Sequence, residues 1–191
     1  MANMTQLCSK FRNTTKMGMV SMVASRGRTW KIAYDGLMIA FAMIVSYVET
    51  LIPVYLGAPG VKPGFANFFV VFLLSGKHYA DAVIVNGCRI LLTGFMFGNL
   101  FSIAYSLSGA VCSFMVMLLL SRIKWMSLIN VSVFGGMFHN IGQFLAACVL
   151  LKGTDLTYYL PVLLLAGVVT GTVNGVLVKT ITPYLRRLEN R

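Results

Sequence analysis

The chain has 191 residues, of which 58% are hydrophobic and only 11% charged, with a mean hydropathy of +0.80. A soluble domain of this size carries about a quarter charged residues, so the composition excludes a soluble globular fold and indicates an all-α integral membrane protein with no room for a separate soluble domain. The formal charge of +11 argues for nucleic acid only until the charges are placed. They sit at segment ends and in the tails, with no basic patch among exposed aromatics, so the expected surroundings are lipid bilayer and no nucleic acid.

Residues 1–31 form a basic tail carrying Lys10, Arg12, Lys16, Arg26, Arg28 and Lys31. No apolar run of signal-peptide length follows these charges before the first span, so cleavage is not expected. Such a tail sets orientation and is drawn to anionic headgroups. Its Met-rich residues 17–23 suit a short interfacial helix.

The transmembrane domain is expected over residues 32–179, followed by a second basic tail, 180–191. The first span covers residues 32–51. Asp35 lies in its first turn, where a carboxylate favours the helix dipole. Gly36 and Ala40 make a small-xxx-small pair that lets another helix approach closely, and Glu49 falls near the far end. A loop with Pro53, Gly57, Pro59 and Gly60 leads into Lys62-Pro63-Gly64-Phe65-Ala66-Asn67, a density of Pro and Gly that predicts a shaped turn. The second apolar stretch, 65–74, is too short for an ordinary span. It must extend through Tyr79, tilt or break, and short Gly/Pro-flanked segments of this kind mark binding sites in transporters.

The third span, 81–97, carries Asn86 and Arg89 near its middle. Gly98-Asn99 breaks the chain before a fourth span, 100–120, which Arg122 and Lys124 close. The fifth runs over 127–151 and contains Phe134-Gly-Gly-Met-Phe-His139-Asn140-Ile-Gly-Gln143. After a turn at Lys152-Gly-Thr-Asp155, the sixth covers 158–178, where Gly167, Gly171 and Gly175 recur every four residues as a stripe for tight packing. With six spans, one side collects the N-terminal charges, Lys77, Arg122, Lys124, Lys179, Arg186, Arg187 and Arg191, and the other only Lys62 and Lys152. This bias predicts both termini in the cytoplasm.

Arg89 is the most informative residue. A permanently charged guanidinium at mid-bilayer costs at least about 2.5–3.5 kcal/mol on insertion scales, so it needs a partner. Two readings follow: a structural pair with Glu49, or a cavity in which Arg89 meets an anionic or strongly polar ligand. His139 and Gln143, four apart, share one helix face with Asn140 beside it. They too either bind neighbouring helices together or line that cavity. Asn67, Lys62 and Glu49 would stand at its outer part, and Phe65, Phe68 and Phe95 could offer stacking faces. Asn174 reads as a helix-packing residue.

Enzyme signatures are missing. No phosphate-binding loop or nucleophile elbow occurs, and Asp35, Glu49, Asp81, Asp155 and Glu189 are too scattered for a two-metal site. Cys8, Cys88, Cys112 and Cys148 form no CxxC pair, so neither metal nor disulfide framework is expected. The expectation is a non-enzymatic protein without cofactor, unable to hydrolyse ATP by itself.

The segments Lys62-Pro-Gly-Phe-Ala-Asn67, Arg89-Ile-Leu-Leu-Thr-Gly-Phe-Met-Phe-Gly98, Leu107-Ser-Gly109 and 132–143, in this order, resemble the Gx transporter family, also labelled heptaprenyl diphosphate synthase component I. The resemblance covers residues 32–179. That family is similar to the substrate-binding S components of energy-coupling-factor (ECF) transporters, six-helix proteins with cytoplasmic termini. The resemblance implies capture of a small molecule such as a vitamin, flavin, or isoprenoid or quinone precursor. It implies a lid and entrance at Lys62, Pro63, Gly64 and Phe65, and docking of a coupling membrane protein through Gly36 and Ala40, where the usual Ala-xxx-Ala pattern is only approximated. Two ATPase subunits would complete the transporter in a bacterial plasma membrane. The synthase label implies instead a non-catalytic accessory subunit of a prenyl diphosphate synthase or a flavin/quinone electron-transfer system.

Overall fold

The computed structural model describes residues 27, 29–49, 51, 64–150 and 157–189, without the side chains of 184–189. Most of the basic N-terminal tail, its residues 17–23, and the loop residues Lys62 and Pro63 lie outside the described residues. Six α-helices occupy the rest: α1 (Thr29–Glu49), α2 (Asn67–Ser75), α3 (Tyr79–Phe97), α4 (Leu100–Leu120), α5 (Leu128–Leu150) and α6 (Leu160–Glu189). No strand occurs among the described residues. The chain divides into two compact units, Met1–Leu37 and Met38–Arg191. The first contributes the opening of α1, with Trp30, Ile32 and Leu37 exposed.

Among the described residues five helices are long and apolar enough to cross a membrane: α1, α3, α4, α5 and α6 as far as Pro183. Large apolar side chains cover the outside, among them Phe95, Leu100, Val149 and Leu165. Water would penalise such a surface and lipid does not, so the chain is a multi-pass membrane protein. α6 runs on beyond the expected end of its span, through Pro183 to Glu189. The change to polar residues ends the apolar run without ending the helix, because Lys, Arg and Leu are all good helix formers.

α2 is the exception. Its 9 residues reach about 13.5 Å at 1.5 Å each, less than half of a bilayer core. Yet it is the most enclosed helix. Val70, Val71, Leu73 and Leu74 are buried with Ala82 and Val85 of α3, Met117 of α4, Val131 of α5 and Val178 of α6. A helix apolar all round belongs inside a bundle, and here the other helices supply its surroundings.

The turn that ends α2 is tight. The amides of Gly76, Lys77 and His78 donate back to the carbonyls of Phe72, Leu74 and Leu73. Lys77 takes the left-handed conformation there, with φ of 62°, a position usually given to glycine. Lys77→Gly is therefore expected to raise stability by about 1 kcal/mol, visible as a higher melting temperature in detergent.

α3, α4, α5 and α6 run up and down in sequence, with short connections. Asn99 accepts from the Ser102 amide at 2.8 Å, capping α4 and explaining the break at Gly98-Asn99. α5 and α6 meet along the glycine stripe. Ser132 Oγ donates to the Gly171 carbonyl at 2.7 Å, and a Cβ at Gly171 would lie 2.6 Å from the Ser132 carbonyl oxygen. α4 meets α5 in the same way, Ser108 Oγ donating to the Gly142 carbonyl at 3.0 Å. One end of the bundle gathers the ends of α2 and α4, the starts of α3 and α5, and Lys179 of α6. With Lys77, Arg122 and Lys124 in its turns, it is the basic end.

Candidate functional site

The site is built around the entry to α2. Residues 64–66 turn into the helix inside the bundle, with Gly64 at φ of 89° and bonds from Asn67 N to Gly64 O and from Phe68 N to Phe65 O. The positive φ is what requires glycine at position 64. The first amides of a helix have no partner within it. Glu49 fills the role: its Oε1 accepts from the amides of Phe65 and Ala66, the latter at 3.3 Å, and the residue is only 5% exposed. A carboxylate at the positive end of a helix is also electrostatically favoured.

Two amide side chains pin the same turn. Asn174 of α6 donates to the Gly64 carbonyl at 3.2 Å, and Asn67 donates to Ser113 Oγ of α4 at 3.0 Å. Beside it lies Arg89, about halfway along α3. Its Nε and one Nη donate to Asn86 Oδ1 at 3.2 and 2.7 Å, and its other Nη donates to Ser46 Oγ of α1 at 2.9 Å. These bonds leave one N–H on each Nη unused. The charge of Glu49 acts on Arg89, and that of Arg89 on His139, so acid, guanidinium and imidazole form one electrostatic cluster.

α5 closes the site. His139 Nε2 and Gln143 Nε2 lie 3.0 Å apart, and the imidazole edge stands against Gly64. Gly109 of α4 makes room for both: a Cβ there would fall 2.8 Å from the His139 carbonyl oxygen and 2.9 Å from Gln143 Cγ. Asn140, on the neighbouring face, donates to the Leu163 carbonyl of α6 at 2.6 Å. Among the described residues no three side chains of metal-ligating type cluster.

Glu49, Gly64, Phe65, Asn67, Arg89, His139 and Gln143 thus come together, with Asn140 turned toward α6. Phe95 does not join them, being 75% exposed, and Phe68 packs edge-on to Phe69 and stacked on Phe72. Gly36 and Ala40 are exposed, with open space where a Cβ on Gly36 would stand. Ser46, Ser113 and the role of Asn174 escape a reading of the sequence. Asn86 could have been assigned to Arg89 from its spacing of three on one helix face. Lone serines in apolar spans give no such signal.

Several polar atoms of the cluster are left unmatched. Asn67 Oδ1, Asn140 Oδ1 and Gln143 Oε1 are buried and have no hydrogen-bond partner among the described residues. An amide oxygen left unmatched away from water costs a few kcal/mol, and native structures rarely tolerate it. Together with the spare guanidinium N–H groups, they offer both acceptors and donors to a polar group entering the cluster.

The protein family described as heptaprenyl diphosphate synthase component I matches this chain over residues 38–181. No curated protein and no solved structure matches it. Every side chain of the cluster, from Ser46 to Asn174, falls within the matched residues, and the chain belongs to the heptaprenyl diphosphate synthase component I family.

Proposed function

We propose that this protein captures a small polar molecule inside the membrane, as the substrate-binding component of an energy-coupling-factor-type transporter in a bacterial plasma membrane. The observation that carries this reading is the pair of buried amide oxygens, of Asn67 and Gln143, left unmatched among the described residues at the entry to α2. A ligand with N–H or O–H groups would satisfy them, and a carbonyl or anionic group on the same ligand would take the spare N–H groups of Arg89. A vitamin-like, flavin-like or quinone-precursor headgroup has this mixture.

The path of the chain supports six crossings with both termini on the basic, cytoplasmic side. Tyr47 near the end of α1 packs against Phe97 at the end of α3, with ring centroids 4.6 Å apart, while α2 ends at the opposite, basic end. The end of α1 and the end of α2 therefore lie at opposite ends of the bundle, and the non-helical turn 64–66 sits inside it. Irregular backbone at this depth is tolerated where protein or a binding cavity surrounds it. With no nucleotide-binding loop in the chain, uptake would need a coupling membrane protein and two ATPase subunits. The exposed pair Gly36 and Ala40 is the docking face we assign to the former.

Native mass spectrometry of the gently purified protein tests this reading. The wild type is expected to carry a small-molecule adduct, and Gln143→Leu to bind it at least about tenfold more weakly with an unchanged melting temperature, since one acceptor and one donor are removed. A wild type that arrives empty but bound to a flavoprotein or prenyltransferase would sink the transport reading and establish the accessory-subunit role.

A further inference from the structure

A cavity of about 540 Å³ opens at the basic end of the bundle, away from the polar cluster. This lies within the usual size range of ligand pockets, about 300–1,000 Å³. Its inner wall is apolar, from Leu74, Met126, Leu128 and Val131. Among the described residues its charged groups are Lys77 and Lys179, and no carboxylate lines it. The neighbouring Asp81 pairs with His78 at 3.4 Å.

The hydroxyl groups of the wall narrow what it can bind. Ser75, Ser121 and Thr182 each donate to a carbonyl of their own helix, Phe72, Leu118 and Val178, at 2.7, 2.8 and 2.7 Å. Their protons are committed. The donors left for a ligand are the two ammonium groups and the Tyr79 phenol, a set suited to an anion. Lys77 also holds its place at a backbone conformation that glycine would adopt without strain.

We infer that this cavity seats an anionic phospholipid of the adjoining leaflet, an acyl chain against the apolar wall and the phosphate between Lys77 and Lys179. A soluble anion would make no use of the apolar wall. A zwitterionic lipid would leave the two ammonium groups without a net counter-charge. The chain's own termini are disfavoured as occupants because they are basic themselves, with Lys10, Arg12 and Lys16 at one end and Arg186, Arg187 and Arg191 at the other. Basic pockets between transmembrane helices hold acidic headgroups by the same chemistry.

The test is lipid titration of the full chain in mild detergent, read by native mass spectrometry, with phosphatidylglycerol and phosphatidylcholine at equal concentration. The variants are Lys77→Asn, which tolerates the positive φ, Lys179→Gln, and the two combined. Lys124→Gln, outside the cavity wall, is the control. The wild type is expected to retain one phosphatidylglycerol in preference to phosphatidylcholine. The double variant should bind it about tenfold or more weakly and the control within about twofold of wild type. Both lysines are exposed, so folding should survive; were the double variant to melt early, Lys179→Gln alone carries the comparison. Equal retention of the two lipids would overturn the inference, as would a Lys124→Gln effect as large as that of the double variant. Displacement of the lipid by millimolar glycerol phosphate would overturn it in favour of a soluble-anion site.

Discussion

Gly136→Ala is expected to destabilise the protein by about 3 kcal/mol, the upper range for forcing one methyl group into a packed interior. The added Cβ would fall on the carbonyl oxygen of Gly167, and the reciprocal atom on Gly167 would lie 2.7 Å from the Gly136 carbonyl oxygen. Backbone meets backbone here, so no side chain can swing aside and α5 and α6 must separate. That separation would also stretch the bond from Ser132 to Gly171. Gly87→Ala is the matched control, because nothing stands within 4 Å of the new atom. It should be neutral or gain about 0.5–1 kcal/mol from the better helix propensity of alanine. Unfolding of both variants in mixed micelles decides the matter, and equal stabilities would refute the close α5–α6 contact.

The second large effect is expected at Glu49. Glu49→Ala strips the acceptor from the Phe65 and Ala66 amides and removes the negative charge that acts on Arg89. Breaking a buried charge arrangement by deleting one member costs about 3–5 kcal/mol, because the groups left behind cannot recruit water. Glu49→Gln should lose less, since its carbonyl oxygen still accepts from the turn while only the charge is gone. The order wild type, Gln, Ala in melting temperature is the expected result. Equal loss in the two variants would mean that the charge alone matters and the capping bonds do not.

Both predictions bear on what a sequence can disclose. Gly167, Gly171 and Gly175 were legible because a four-residue repeat puts them on one helix face, and the structure places that face against α5. The limits of α3, α4 and α5 were legible within two residues, since apolar runs of this length end where polar or turn-forming residues begin. His139 and Gln143 declared themselves by their spacing of four. What surrounds Arg89 did not. Ser46 lies 43 residues away and Ser113 meets Asn67 across 46, and nothing in an isolated hydroxyl announces a partner at that separation. Glu49 was visible as a membrane carboxylate, but its bonds to the Phe65 and Ala66 amides depend on how the intervening loop returns into the bundle. Asn174 reads as packing because it stands toward the C-terminal end of its span. It reaches the site only because Gly64 comes down to meet it.

The short helix α2 also has a consequence for biogenesis. Its entry turn relies on Ser113 of α4, Asn174 of α6 and the side chain of His139, all of which are synthesised after it. While the ribosome is still translating the later helices, residues 64–75 have Glu49 of α1 beside them but none of these later partners to complete the turn or enclose their apolar surface. Helices α4, α5 and α6, consecutive in the chain and joined by glycine contacts and serine bonds, can assemble first. On this order α2 reaches its full enclosure last, although it is among the first helices made, because the side chains that surround it come from α3, α4, α5 and α6.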